Sequence, residues 1–377
     1  MDKRNLELVI ELRRKLHVIP ELSGREIETR KYLMEFLKKH TSLELIDKGK
    51  WFYAVYRAGE NCPNLAFRAD MDAVAVDEAP GLPYQSKNPG IAHKCGHDGH
   101  CATLAGFALE LDRLGAKQNI YLLFQHAEEN AEGALECADL IDECGIDKIY
   151  GLHNMPGLPK NHIAIKDGIL MCASKGVTVS LTGLSSHASM PEKGINPAQA
   201  LAEIIHEIPK LSDPSFYQGM VLCTIIHAEL GTKGAFGVSA SKGSLSLTCR
   251  AQQEKDLEAL EKRLFEYAEA RAKHHGLGSG ISIHDDFPAT VNHKAEAEQV
   301  RTAARKLGLS LTEMEEPLRG SEDFGHYLKR IPGAFFFLGA GDCPNIHSRD
   351  YDYPDDIIET GVELFKAITR DAEMSGT

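Results

Sequence analysis

Eight consecutive residues, His93-Lys94-Cys95-Gly96-His97-Asp98-Gly99-His100, carry one thiol, three imidazoles and a carboxylate, five groups able to ligate a metal. Thiolate and neutral imidazole are the donors that borderline-soft divalent ions prefer, and two glycines free the backbone to bring side chains to one point. A solitary Cys or His is more often a buried structural residue, but this density over a turn and the start of a helix points to a metal. So short a segment cannot complete a coordination sphere. The remaining ligands must come from elsewhere in the chain.

Candidates stand where strands should end. Short apolar runs at 51–56, 65–69, 120–125, 149–152 and 334–339 read as strands, with a helix starting near Asp98. Upstream, Leu6, Val9, Ile10, Leu12 and Leu16 follow helical spacing, and Ser23-Gly24-Arg25-Glu26 has the form of a capping box before a second helix at 25–39. This alternation predicts an α/β fold with a mixed, mostly parallel sheet and helices on both faces. Asp70 and Asp72, Glu128 and Glu129, His153 and His347 then all follow the C-terminal ends of strands, the edge of an open sheet where ligands bind. Each alone is explained by a polar turn; as a set they are not, because unpartnered buried charge is expensive.

The adjacent pair Glu128-Glu129 favours catalysis over storage. Neighbouring side chains point in different directions, so one carboxylate can bind metal while the other faces a water and moves its proton. A divalent ion lowers the pKa of such a water towards neutrality. That combination performs hydrolysis of an amide.

Between these segments the pattern changes. Val177, Val179 and Leu181 alternate with polar residues, Asn196-Pro197 opens a helix to about 210, and strands at 220–227 and 244–250, a charged helix at 253–275 and a strand at 281–287 follow. The order βαββαβ predicts a ferredoxin-like domain inserted at 174–287, with 1–173 and 288–377 forming the two parts of a catalytic domain.

Composition sets limits. The chain has 377 residues, 43% hydrophobic and 26% charged, as expected of a globular protein with room for two domains. A net charge of −13 argues against nucleic acid and anionic membranes as partners. Met1-Asp2-Lys3-Arg4 does not lead into a signal-peptide core, and no apolar run is long enough to span a bilayer, so a cytoplasmic location is expected. The nine cysteines are then expected to be reduced, which leaves Cys95 free to ligate.

Six ordered motifs carry a resemblance over nearly the whole chain: Arg68-Ala69-Asp70-Met71-Asp72, Cys95-Gly96-His97-Asp98-Gly99-His100, Glu128-Glu129, Gly151-Leu152-His153-Asn154-Met155-Pro156, Gly320-Ser321-Glu322-Asp323-Phe324 and Pro344-Asn345-Ile346-His347-Ser348. The chain resembles the metal-dependent amidohydrolases that include aminoacylases, hippurate hydrolases and indole-acetyl-amino-acid hydrolases. The resemblance implies two divalent ions, zinc first and otherwise manganese, cobalt or nickel, held by Cys95, His97, Glu129, His153 and His347, with Cys95 shared. It makes Glu128 the general base and acid and Asp72 a group that orients His97 or another ligand. His100 is read as structural, and His93 and His126 match no role. In Gly183-Leu184-Ser185-Ser186-His187-Ala188-Ser189 the resemblance makes His187 a lid residue that stabilises the oxyanion, and Arg250 a holder of the substrate carboxylate. It also implies a homodimer through the inserted domain and a small N-acyl amino acid as substrate.

Departures fall on lid and substrate-facing segments. Ala73-Val74-Ala75-Val76 lacks the proline usual after the Asp-Met-Asp segment, Phe236-Gly237-Val238-Ser239-Ala240 lacks the usual Asn and Pro, Glu192 replaces a second lid histidine, and Ser348-Arg349 lacks a proline. The alternatives are a dipeptidase or an N-acetyl-diaminopimelate deacetylase using the same site, and a non-catalytic metal-binding scaffold. A zinc nucleobase deaminase is disfavoured because no Pro-Cys-x-x-Cys segment is present.

Overall fold

In the computed structural model, which describes residues 1–371, the chain divides into two compact units. One comprises Met1–Leu170, Thr290–Pro317 and the chain from Glu322 onward; the other comprises Met171–Ala289 with Leu318–Ser321. Residues 372–377, the end of the segment expected at 288–377, lie outside the described residues.

The first unit is built on an eight-stranded sheet. Its order is Glu44–Asp47, Phe52–Tyr56, Asn119–Gln125, Asn64–Asp70, Lys148–Pro156, Gly333–Gly341, Ile163–Ile165 and Leu311–Glu313. Four of the seven pairings are parallel and three antiparallel, the mixed and mostly parallel sheet that the sequence predicts. The 119–125 and 333–341 strands bury every residue. That is why Ile120 to Phe124 and Ala334 to Leu338 read as unbroken apolar runs: a strand covered on both faces has no polar side to show.

Helix His97–Leu114 packs against helices Lys3–Val18 and Ile358–Asp371. Phe67 of the 64–70 strand meets Phe107 and Phe365 at ring separations of 5.0 Å, tying sheet and helices together. Each such buried ring contributes about 1.5–3 kcal/mol, so the start of the 97–114 helix is held firmly against the strand ends.

The expected capping box does not form. The second helix runs Ile27–His40 and has no side-chain cap. Ser23 Oγ instead donates to Asp72 Oδ2 at 2.7 Å, and Glu26 Oε1 accepts from the amides of Gly24 at 2.9 Å and Ala127 at 2.8 Å. Ser23 is turned to a buried carboxylate and Glu26 to the buried Ala127 amide, groups that cost more to leave unmet than helix-end amides that water can satisfy.

The second unit holds a four-stranded antiparallel sheet in the order Val221–Leu230, Lys242–Ala251, Ala173–Thr182 and Gly278–Phe287, with helices Ala198–Leu211 and Glu254–His274. This is the ferredoxin-like arrangement expected from βαββαβ. Val177, Val179 and Leu181 alternate inwards beside Leu245, Leu247 and Cys249, and Leu201, Ile204, Leu257 and Leu260 of the helices complete that core. Asn196 Oδ1 accepts from the Ala198 amide at 2.9 Å, which opens the first helix where the sequence places it. All nine cysteines are free thiols, and no helix among the described residues is long and apolar enough to cross a membrane.

Candidate active site

The 64–70 strand ends on Asp70, and Asp72 follows; the 119–125 strand runs into Glu128 and Glu129. His153 lies inside its strand rather than at the end, because the strand continues to Pro156. These strand ends converge on Cys95 and His97. Gly96, between the two, has φ +103°, and a Cβ there would sit 2.4 Å from Asn154 Oδ1, so only glycine permits the turn. Gly99 serves a different need: a Cβ would lie 2.3 Å from the Tyr353 ring.

Two of the donor triads that result share Cys95. Cys95, His97 and His153 form one; Cys95, Glu129 and His347 form the other, in each case with ligand atoms within 4.8 Å of one another. Cys95 Sγ lies 3.4 Å from His153 Nε2, and His347 Nε2 lies 3.3 Å from Glu129 Oε1. His97 Nδ1 faces the Asp72 backbone oxygen at 2.9 Å and Asp72 Oδ1 at 3.2 Å, which leaves Nε2 to point into the cluster. There it lies 3.8 Å from Glu129 Oε1 and 4.0 Å from Glu128 Oε2. Asp72 also accepts from the Glu129 amide at 3.0 Å.

These residues fit a divalent cation. His97 Nε2 and Glu129 Oε1 are buried and have no hydrogen-bond partner, a costly state for atoms at the centre of a donor cluster. The charges also call for one. Burial pushes the Cys95 thiol well up, and Glu129 and Glu128 push it further. Burial likewise drives Glu128 well above the usual carboxylate range, with Glu322, Glu129 and Asp323 adding to it. Burial pulls His97 down, but Asp70 and Asp72 outweigh it and raise the imidazole to about 10. Burial lowers His153, and His100 adds to that. The cluster is rich in buried carboxylate, and a bound cation offsets that excess.

Asp70 and His100 lie behind the donors. His100 Nδ1 contacts Asp70 Oδ1 and its Nε2 contacts Asn154 Oδ1, both at 2.6 Å, so neither nitrogen is free to ligate. His93 and His126 are buried. His187 and Arg250 belong to the second unit. His187 is exposed on the short strand Ser186–His187, its Nδ1 2.6 Å from Ser189 Oγ; Arg250 Nη1 donates to the Arg319 carbonyl at 3.0 Å and to Ser321 Oγ at 2.8 Å.

Arg68 has a role that sequence reading missed. Its guanidinium is buried and spans Asp70 (2.6 Å), Glu322 (2.9 Å), Asp323 (2.8 Å) and Gln125 (2.8 Å). Removing one member of a buried ion network costs about 3–5 kcal/mol, because the charges left behind lose their partner. The signal was present in two of the six motifs, Arg68-Ala69-Asp70 and Glu322-Asp323. Nothing local connects them across some 250 residues.

Thiol, imidazole and carboxylate donors at the strand ends of an α/β sheet, beside one further buried carboxylate, define the site of a metal-dependent hydrolase. The chain belongs to Peptidase family M20/M25/M40, which residues 66–371 match, and is an amidohydrolase of that family. It is 29% identical over 371 residues to an N-acetylcysteine deacetylase of Bacillus subtilis, covering 97% of this chain and 96% of that one. It is 28% identical over 345 residues to an N-acetyldiaminopimelate deacetylase of Exiguobacterium sibiricum, with 90% and 92% covered. Among solved structures it superposes on a dinuclear metal-binding peptidase of the M20 family from B. subtilis with a TM-score of 0.83, 27% identity and full coverage of both chains.

Proposed function

We propose that the protein hydrolyses the amide of N-acyl amino acids, with short acyl groups such as acetyl preferred as the acyl half that is attacked. Cys95, His97, Glu129, His153 and His347 would hold two divalent ions with Cys95 between them. Bound there, the ions would supply Lewis acidity that polarises the scissile carbonyl and makes an attacking water acidic. The thiol and imidazoles suit zinc, and manganese, cobalt and nickel accept the same mixed set.

Glu128 carries the proton. It stands beside the donor triads and is buried, and the raised pKa that burial gives it makes its carboxylate a stronger base towards water and its acid form available to a leaving nitrogen. It takes a proton from the water and delivers it to the leaving nitrogen. Asp72 keeps His97 in the tautomer whose Nε2 faces the cluster. His187 is assigned to the oxyanion of the tetrahedral intermediate and Arg250 to the carboxylate of the amino-acid half. The acetyl preference is supported by the names of the two deacetylase relatives.

The observation that carries this reading is that two donor triads share Cys95 while Glu128, a member of neither, stands within reach of His97 and Glu129. Glu128→Gln should lower turnover by about 10²–10⁴-fold while metal analysis shows both ions retained; full activity in that variant refutes the mechanism. Acetyl, benzoyl, long-chain and indole-acetyl amino acids, N-acetyldiaminopimelate and free dipeptides, assayed together, separate the substrate classes. Preference for free dipeptides would make the protein a dipeptidase.

The second unit also suits a homodimer. The 221–230 strand is an edge of its sheet and leaves Ile225, Ile226 and Leu230 exposed, an apolar row with unpaired backbone groups. Sedimentation should give a dimer, and a monomer at working concentration refutes it.

A further inference from the structure

His347 is held differently from the other donors. His97 lies in a helix with Cys95 just before it, His153 lies within a strand, and Glu129 is pinned through its amide to Asp72. His347 sits on an irregular turn, half exposed, with φ +62°. A residue with a Cβ pays roughly 1–2 kcal/mol for that conformation, so contacts from outside the turn must hold it.

Two of those contacts come from Lys94. Its carbonyl accepts from the His347 amide at 2.6 Å, and its ammonium donates to the Tyr351 carbonyl at 2.7 Å, so it grips both ends of the 347–351 turn. Lys94 is only 1% exposed, and a buried ammonium needs a counter-charge. Glu78 Oε1 supplies it at 2.5 Å and is itself fixed by His17 Nε2; Glu78 Oε2 accepts from the Ser86 amide. Any residue at position 94 would offer the carbonyl. Only a long cation reaches the second grip.

We propose that Lys94 is a positioning residue for His347: it fastens the 347–351 turn to the Cys95 segment and thereby closes the ligand set around the second ion. This rests on the two-ion reading above. The test is a cobalt titration of the metal-free protein, followed by visible absorption and by metal analysis after dialysis. Wild-type protein should bind two equivalents. Lys94→Met should keep one at wild-type affinity and bind the other about 10–100-fold more weakly, the usual effect of losing a group that orients a ligand.

Lys94→Met leaves Glu78 with a buried charge short of its cation, which threatens folding itself. The double variant Lys94→Met, Glu78→Gln removes both charges and carries the same expectation. His347→Ala should weaken the same site at least as much and leave the other at wild-type affinity. Two equivalents at wild-type affinity in the double variant overturn the proposal. So does equal weakening of both sites, which marks general destabilisation rather than a grip on one ligand. Fewer than two equivalents in the wild type overturns the two-ion reading itself, a result distinct from either.

Discussion

Asp72 is the residue on which the cluster's geometry depends most. One carboxylate meets His97 Nδ1 at 3.2 Å, the Glu129 amide at 3.0 Å and Ser23 Oγ at 2.7 Å, so it orients two candidate ligands at once. Replacing Asp72 with Asn keeps one acceptor oxygen and loses the charge that fixes the His97 tautomer. Chelator competition should show metal affinity about 10–100-fold lower in Asp72→Asn, with the thermal midpoint little changed. Unaltered affinity would show that His97 needs no such support. Arg68 acts on the same scale, as a single guanidinium balancing three carboxylates beneath the site.

At the scale of elements, the site exists because strands and the 97–114 helix end at one place. The helix must start close to the segment that carries Tyr351 and Tyr353, and Gly99 allows it. Gly99→Ala puts a methyl carbon 2.3 Å from a ring that is itself 1% exposed, so one of them must move. Overpacking of this kind costs about 1–3 kcal/mol, and because His97 lies two residues away, metal affinity should fall along with the melting temperature. A variant that melts and binds metal like the wild type would show that the helix start has slack.

Across the whole first unit, a buried charge network joins the N-terminal helix to the site. His17 contacts Asp98 at 2.8 Å and Glu78 at 2.7 Å, while Arg13 reaches Asp98, Asp352 and Asp355. Burial lowers the His17 pKa, but its bonds to Asp98 and Glu78 outweigh that and raise it from 6.5 to about 9. Because the folded value lies above the unfolded one, the stabilisation is fully present below pH 6.5 and is lost as pH rises through about 9. The shift corresponds to stability on the order of 3 kcal/mol. Melting temperature should therefore fall over that window in the wild type, and fall less in His17→Asn, which lacks the titrating group. Parallel curves for the two proteins would remove His17 from the account.

Much of this was legible in order along the chain. Strand and helix periodicity depends on neighbours two to four residues apart, so five of the eight strands of the large sheet, the ferredoxin-like insertion and the strand ends leading to Asp70 and Glu128 could be read from local pattern, while the three-to-four-residue strands Glu44–Asp47, Ile163–Ile165 and Leu311–Glu313 are too short to show a period. Residue type marked Cys95, His97, His153 and the Glu128-Glu129 pair as possible donors, and the resemblance chose Glu129 over Glu128. Which partner each side chain takes was not legible, because it depends on distances between segments far apart in sequence. Ser23 and Glu26 have the local form of a helix cap, yet they bond to Asp72 and Ala127. His100 reads as structural, but that Asp70 and Asn154 are the groups at its two nitrogens could not be read locally. Lys94 stands inside the metal motif with nothing local to show that it is buried between Glu78 and Tyr351. The sequence by itself determined which chemical groups are present and on which element each one sits. Only the tertiary structure decided which of them are free to ligate and which are spent on holding the others, since burial makes an unpartnered polar atom costly and the fold alone sets who is within reach.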